Sequence, residues 1–89
     1  MTNADEIENR RRRLLYRSLY RGNKENDILL GQFARAQIGE FGAADLDQYE
    51  ALLEESDNDI FDWVAGRAAV PPAKDTPVLR RLIAFKVSF

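Results

Sequence analysis

An all-α fold, a compact antiparallel bundle of five helices in a single small domain, follows from three observations. Apolar residues recur at three- and four-residue spacings along the chain, and no segment alternates as a strand does. Glycines, prolines and Ser/Asn/Asp clusters interrupt that pattern at short intervals, as helix stops and caps do. A chain of 89 residues has room for one continuous core, so residues 1–89 read as one domain.

The spacing predicts a first helix over residues 5–20, with Asn3 or Thr2 near its cap and residues 1–4 frayed. Ile7, Leu14, Leu15, Leu19 and Tyr16 supply its apolar positions, Arg10 to Arg13 a wet turn, and Gly22 its stop. A second helix begins near Asn23 to Glu25 and reaches Ile38, burying Ile28, Leu29, Leu30, Phe33 and Ala36 before Gly39 ends it. After a turn at Phe41-Gly42, a third helix over 43–55 buries Leu46, Tyr49, Leu52 and Leu53, with Asp45 and Asp47 favourably placed in its first turn. Ser56-Asp57-Asn58-Asp59 reads as a stop and a fresh cap. The fourth helix then places Ile60, Phe61, Trp63 and Val64 inward as far as Gly66, with both aromatics expected in the core. Pro71-Pro72 cannot continue a helix, so 68–75 is expected to be an extended linker. Thr76 followed by Pro77 is an N-cap with proline at the first helical position. The fifth helix turns Val78, Leu79, Leu82, Ile83 and Phe85 inward, and residues 87–89 are expected to fray.

Composition removes most enzyme chemistry. There is no cysteine and no histidine. That excludes disulfides, Cys/His metal sites, haem or iron–sulfur ligation, and Ser-His or Cys-His nucleophiles. Asp57-Asn58-Asp59 lacks the glycine and later ligands of a calcium loop, since Phe61 and Asp62 stand where these belong, and reads as a helix cap. No Gly-x-Gly-x-x-Gly follows a strand, so weak or undetectable binding of free FAD is expected. No apolar run approaches the roughly 18 residues of a membrane span, so no membrane insertion is expected. Asp5, Glu6 and Glu8 precede the arginines without an apolar stretch, unlike a secretory signal or a mitochondrial presequence. A bacterial cytoplasmic protein is the simplest reading.

A net charge of −2 conceals a division along the chain. Residues 1–25 carry seven Lys/Arg against four Asp/Glu, residues 40–62 carry nine acids and no base, and residues 63–89 carry five bases against one acid. Such blocks are either solvated helix faces that attract each other or two docking surfaces of opposite sign. Arg10-Arg11-Arg12-Arg13 admits a nucleic-acid reading, a protein-docking reading and a plain solvated face. No second basic helix with interleaved aromatics follows it.

Arg21-Gly22-Asn23-Lys24-Glu25 gathers unlike chemistries at a corner between helices. Gly22 lets the backbone turn and a partner approach closely. Arg21 presents a planar fork suited to a carboxylate or a polar loop. The helix dipole favours ionised Glu25 in the first turn of the second helix. Alternatively, the corner is a helix stop with a capping residue, and the two charges pair with each other.

The stretch from Leu14 to Leu30, Leu-Leu-Tyr-Arg-Ser-Leu-Tyr-Arg-Gly-Asn-Lys-Glu-Asn-Asp-Ile-Leu-Leu, closely resembles the SdhE/YgfY family, the flavinylation factors of succinate dehydrogenase. A second block agrees: Tyr49 to Trp63 resembles the family's Leu-Leu-Glu…Asp-x-Asp-(Leu/Ile)-(Phe/Leu)-x-Trp pattern. The likeness runs from about Arg11 to Phe85. It implies a small helical assembly factor, not an enzyme. Such a factor binds the flavoprotein subunit of succinate dehydrogenase and, in some bacteria, that of fumarate reductase, and promotes covalent attachment of FAD to a histidine there. Carried over by position, Arg21, Gly22 and Glu25 match the partner-binding signature, flanked by Arg17, Asn23, Lys24 and Asp27. Asn23 stands where many members carry a bulky apolar residue. No catalytic, cofactor-binding or metal-binding residue is assigned to this chain, since flavin is attached to the partner. The free protein is expected to be a monomer. A generic helical interaction module and a small nucleic-acid-binding protein are the competing readings.

Overall fold

The computed structural model describes residues 4–85. Among them are five α-helices, α1 (Ala4–Leu19), α2 (Lys24–Gln37), α3 (Ala43–Leu53), α4 (Asp57–Ala65) and α5 (Pro77–Ala84), and no strand. The expected cap at Asn3 or Thr2 and the expected fraying of 1–3 and 87–89 fall outside the described residues; Ala4 is helical.

The sequence signals for starts and stops work where they rest on side-chain chemistry. Asn23, Ser56 and Thr76 cap α2, α4 and α5, each accepting a hydrogen bond from the backbone three residues on. Gly66 ends α4 in the left-handed conformation, with φ at 76°. Gly39 does not act this way: α2 ends at Gln37, and Ile38–Glu40 form a 3₁₀ turn that carries the chain to Phe41. The expected extended stretch 68–75 also contains a 3₁₀ turn, Pro72–Lys74, because proline fits the first position of such a turn as readily as an extended chain. α3 stops at Leu53, two residues before the expected end.

The core joins all five helices. Leu14, Leu30, Phe33, Phe41, Leu46, Tyr49, Ile60, Val78 and Leu82 are fully buried. Phe41, expected only as part of a turn, is a central member. Its ring lies 6.1 Å from Phe33 and 5.8 Å from Tyr49, and Phe85 meets Phe33 edge-on at 5.5 Å. α1 and α2 approach closely at Gly31, where a Cβ would stand 2.8 Å from a Leu19 methyl.

Three apolar positions expected inside are outside. Tyr16 lies two residues from buried Leu14, about 200° around the helix, and is 65% exposed. Ala36 stands in the same relation to buried Ala34 and is exposed. Ile83 lies about 100° round from Leu82 at the margin of the α5 stripe, and is 40% exposed. Phe61 is half-buried while Trp63 is buried, so only one of the α4 aromatics belongs fully to the core.

The divided charge is partly internal. Arg10 reaches Asp47 at 2.6 Å and Glu50 at 2.9 Å, and Arg17 reaches Glu54 at 2.8 Å, fastening basic α1 to acidic α3. Arg11 donates to Phe41 O at 2.9 Å and pairs with Glu8. The four-arginine run is therefore not uniformly wet; Arg12 and Arg13 are its exposed members. Beneath these pairs Ser18 donates to Leu14 O at 2.8 Å, which leaves the buried Tyr49 hydroxyl to donate to Ser18 Oγ. Burial pushes the Tyr49 hydroxyl up to about 12, against smaller opposing effects from Ser18, Arg21 and Arg17, so it stays a neutral donor.

Candidate functional site

The corner between α1 and α2 is shaped by its own hydrogen bonds. Gly22 takes φ of +90°, and nothing lies within 4 Å of the place a Cβ would occupy. A side chain there is opposed by backbone conformation and not by a neighbour. Asn23 Oδ1 accepts from the Asn26 backbone at 3.0 Å, and Asp27 Oδ1 accepts from the Arg21 backbone at 2.8 Å. Asn23 and Asp27 are thus parts of the turn.

Arg21 is committed inside the chain. Its Nε donates to Asp57 Oδ1 at 2.6 Å, one terminal nitrogen to Leu53 O at 2.8 Å, and the other to Glu55 O at 2.9 Å. The carbonyls belong to the end of α3 and the turn after it, where helical partners run out. Arg21 therefore closes α3 and holds the first residue of α4 at once. Its side chain is only 12% exposed. The fork expected to face a partner, or to pair with Glu25, instead meets a residue 36 positions away.

Asn26 completes this network. Fully buried, it donates through Nδ2 to Asp57 O at 2.9 Å and to Asp57 Oδ1 at 3.0 Å. Burial raises the Asp57 pKa, but the hydrogen bonds from Arg21 and Asn26 and the Arg21 charge outweigh it, and the net shift is downward. A lowered folded value contributes stability that is complete above the unfolded value of about 3.9 and is lost as pH falls through the folded one. The melting temperature of the parent is therefore expected to fall below about pH 4 more steeply than that of Asp57→Asn, read from thermal scans between neutral and acid pH. Equal slopes would show that Asp57 carries no linked stability.

Gly22, Lys24 and Glu25 remain exposed, and neither the Lys24 nor the Glu25 side chain has an ion pair or hydrogen bond among the described residues. Beside them lies a recess of ≈ 260 Å³, walled by Asn23 and Glu25 on one side and by Asp57, Phe61, Asp62 and Arg67 on the other. The Arg67 guanidinium sits over the Phe61 ring, 5.2 Å from its centroid. The corner thus offers an open glycine backbone, a free carboxylate and a half-buried aromatic with a cation. Flanking Arg17 is spoken for by α3. Residue patterns missed Asp57, Asn26, Phe61 and Arg67 as members of this corner, because their proximity depends on how α4 packs. Among the described residues no group of three His, Cys, Asp or Glu could hold a metal ion, and no helix is long and apolar enough to cross a membrane.

Residues 12–86 match the family model Sdh5, described as flavinator of succinate dehydrogenase. The chain is 45% identical over 75 residues to a mitochondrial succinate dehydrogenase assembly factor 2 of Dictyostelium discoideum, covering 84% of this chain and 53% of that one. It is 42% identical over 79 residues to the FAD assembly factor SdhE of Acetobacter pasteurianus, covering 89% and 72%. It is 40% identical over 83 residues to a mitochondrial succinate dehydrogenase assembly factor 2 of Scheffersomyces stipitis, covering 89% and 56%. The chain spans about half the length of these mitochondrial relatives.

Proposed function

The chain belongs to the Sdh5 family of succinate dehydrogenase flavinators, and on that footing we propose that it binds the flavoprotein subunit of succinate dehydrogenase and promotes covalent attachment of FAD to it. The flavoprotein subunit of fumarate reductase is a second client of the same kind. On this reading the step belongs to the bacterial cytoplasm. This chain acts as an assembly factor, and the flavin resides on the partner. The absence of histidine and cysteine from its sequence supports that division, since it has neither of the usual residues for covalent flavin attachment.

Its contribution is conformational. Bringing flavin and acceptor into reactive geometry can lower a barrier by up to about 7–11 kcal/mol without any catalytic group from the factor. The factor must bind that arrangement of the partner better than its competitors, or it shifts nothing.

The observation that carries this reading is the division of labour within the signature. Arg21, Asn23 and Asp27 build the corner, while Gly22 and Glu25 are left uncommitted on its surface. Glu25→Ala is expected to melt within about 1 kcal/mol of the parent, because only an exposed carboxylate near a helix N-terminus is lost. Its affinity for the flavoprotein should fall by about 2 kcal/mol or more if the carboxylate is desolvated in the complex. Covalent flavin yield in the partner, scored by in-gel fluorescence, should fall with it. Full yield from a well-folded Glu25→Ala protein would remove Glu25 from the interface.

A further inference from the structure

Tyr16 and Tyr20 stand out on the outer face of α1. They are 65% and 67% exposed, and their rings lie 4.7 Å apart. Arg12 and Arg13 share this face: at about 100° per residue, Arg12, Tyr16, Tyr20 and Arg13 fall within a sector of about 100°, opposite Leu14. Among the described residues neither arginine has an ion pair, whereas Arg10, Arg11, Arg17 and Arg21 each meet an acid of the chain. A shallow notch of ≈ 320 Å³, lined by Tyr16, Arg17, Tyr20 and Arg21, joins the face to the signature corner.

Tyrosine and arginine are the residues in which protein interfaces concentrate their binding energy. Tilted against each other in contact, the two rings have already lost some of the freedom that binding would take from them. The geometry points to this face as a docking surface for a carboxylate-bearing segment of the flavoprotein, an inference that rests on the function proposed above. The forks of Arg12 and Arg13 suit carboxylates, and the tyrosine rings suit the apolar and amide surface beside them. Charge complementarity argues for an acidic occupant, because Asp47 and Glu50 of α3 are already engaged by Arg10 and neither pairs with Arg12 or Arg13. A protein fits better than a nucleic acid, because the chain is net negative at −2.

The test titrates each variant against the flavoprotein subunit prepared without flavin, and checks folding by thermal melting. Tyr16→Ala/Tyr20→Ala is expected to bind about tenfold or more weakly with near-parental melting. Arg12→Glu/Arg13→Glu is expected to associate more slowly and lose much of the salt dependence of the rate. Arg35→Glu/Arg80→Glu, an equal charge change at other exposed positions, should stay within about twofold of the parent. Parental affinity in both test variants overturns the docking face while leaving the proposed function intact. No binding by the parent chain overturns both. Binding of a single-stranded oligonucleotide that Arg12→Glu/Arg13→Glu abolishes, with flavoprotein affinity unchanged, assigns the face to nucleic acid and also overturns the inference.

Discussion

Trp63→Ala is expected to destabilise the protein by about 3–5 kcal/mol, against a total of about 5–13 kcal/mol for a chain of this length. Trp63 is only 7% exposed, one turn of α4 after fully buried Ile60. It also forms part of the wall of a groove of ≈ 260 Å³, together with Ala51 and Leu52 of α3 and Ala73 from the loop before α5. Truncation there opens the groove to water and does not seal a void, so the loss comes mainly from transfer and packing of the indole. That argues for the lower half of the range. Phe61→Ala should cost less, about 1–2 kcal/mol, because Phe61 is half-buried and its outer contact is the exposed Arg67. Urea unfolding of the two variants checks the ordering. Equal midpoints for Trp63→Ala and the parent would mean that α4 does not depend on the indole for its seat.

What was legible in the sequence was what local chemistry decides. The caps at Asn23, Ser56 and Thr76 and the stop at Gly66 rest on groups within a few residues of each other, so pattern and structure agree. So do the stripes of α3 and most of α5, where the apolar residues follow one helical face. Tyr16 is not legible from apolar spacing, because it lies two positions and about 200° round from buried Leu14 and cannot share its face. Phe41 is illegible for the opposite reason: it lies between helices, where no periodicity announces burial, and Phe33, Tyr49 and the Arg11 contact decide its place. At the corner, Gly22 and the N-cap were legible. The partner of Arg21 was not, since nothing in a string of residues selects Asp57 over the other eight acids of residues 40–62.

Arg21→Ala is expected to destabilise the protein by about 3 kcal/mol, well beyond what an exposed ion pair contributes. The substitution removes three charge-assisted bonds, one to Asp57 and two to carbonyls at the end of α3 and in the turn after it, and leaves Asp57 with Asn26 alone in a half-buried position. Arg21→Lys should fall between parent and alanine variant, because an ammonium can hold Asp57 but cannot reach two carbonyls in the plane of a fork. A cycle with Asp57→Ala separates the ion pair from the helix-end contacts: if the carbonyls carry most of the effect, Arg21→Ala stays costly in the Asp57→Ala background. Flavin attachment to the partner is then expected to track the folded fraction in Arg21→Ala and to recover on cooling, while Glu25→Ala loses attachment without losing the fold. An Arg21→Ala protein that melts like the parent yet supports no flavinylation would move the fork from the end of α3 into the interface, and Arg21 would join Glu25 as a contact residue.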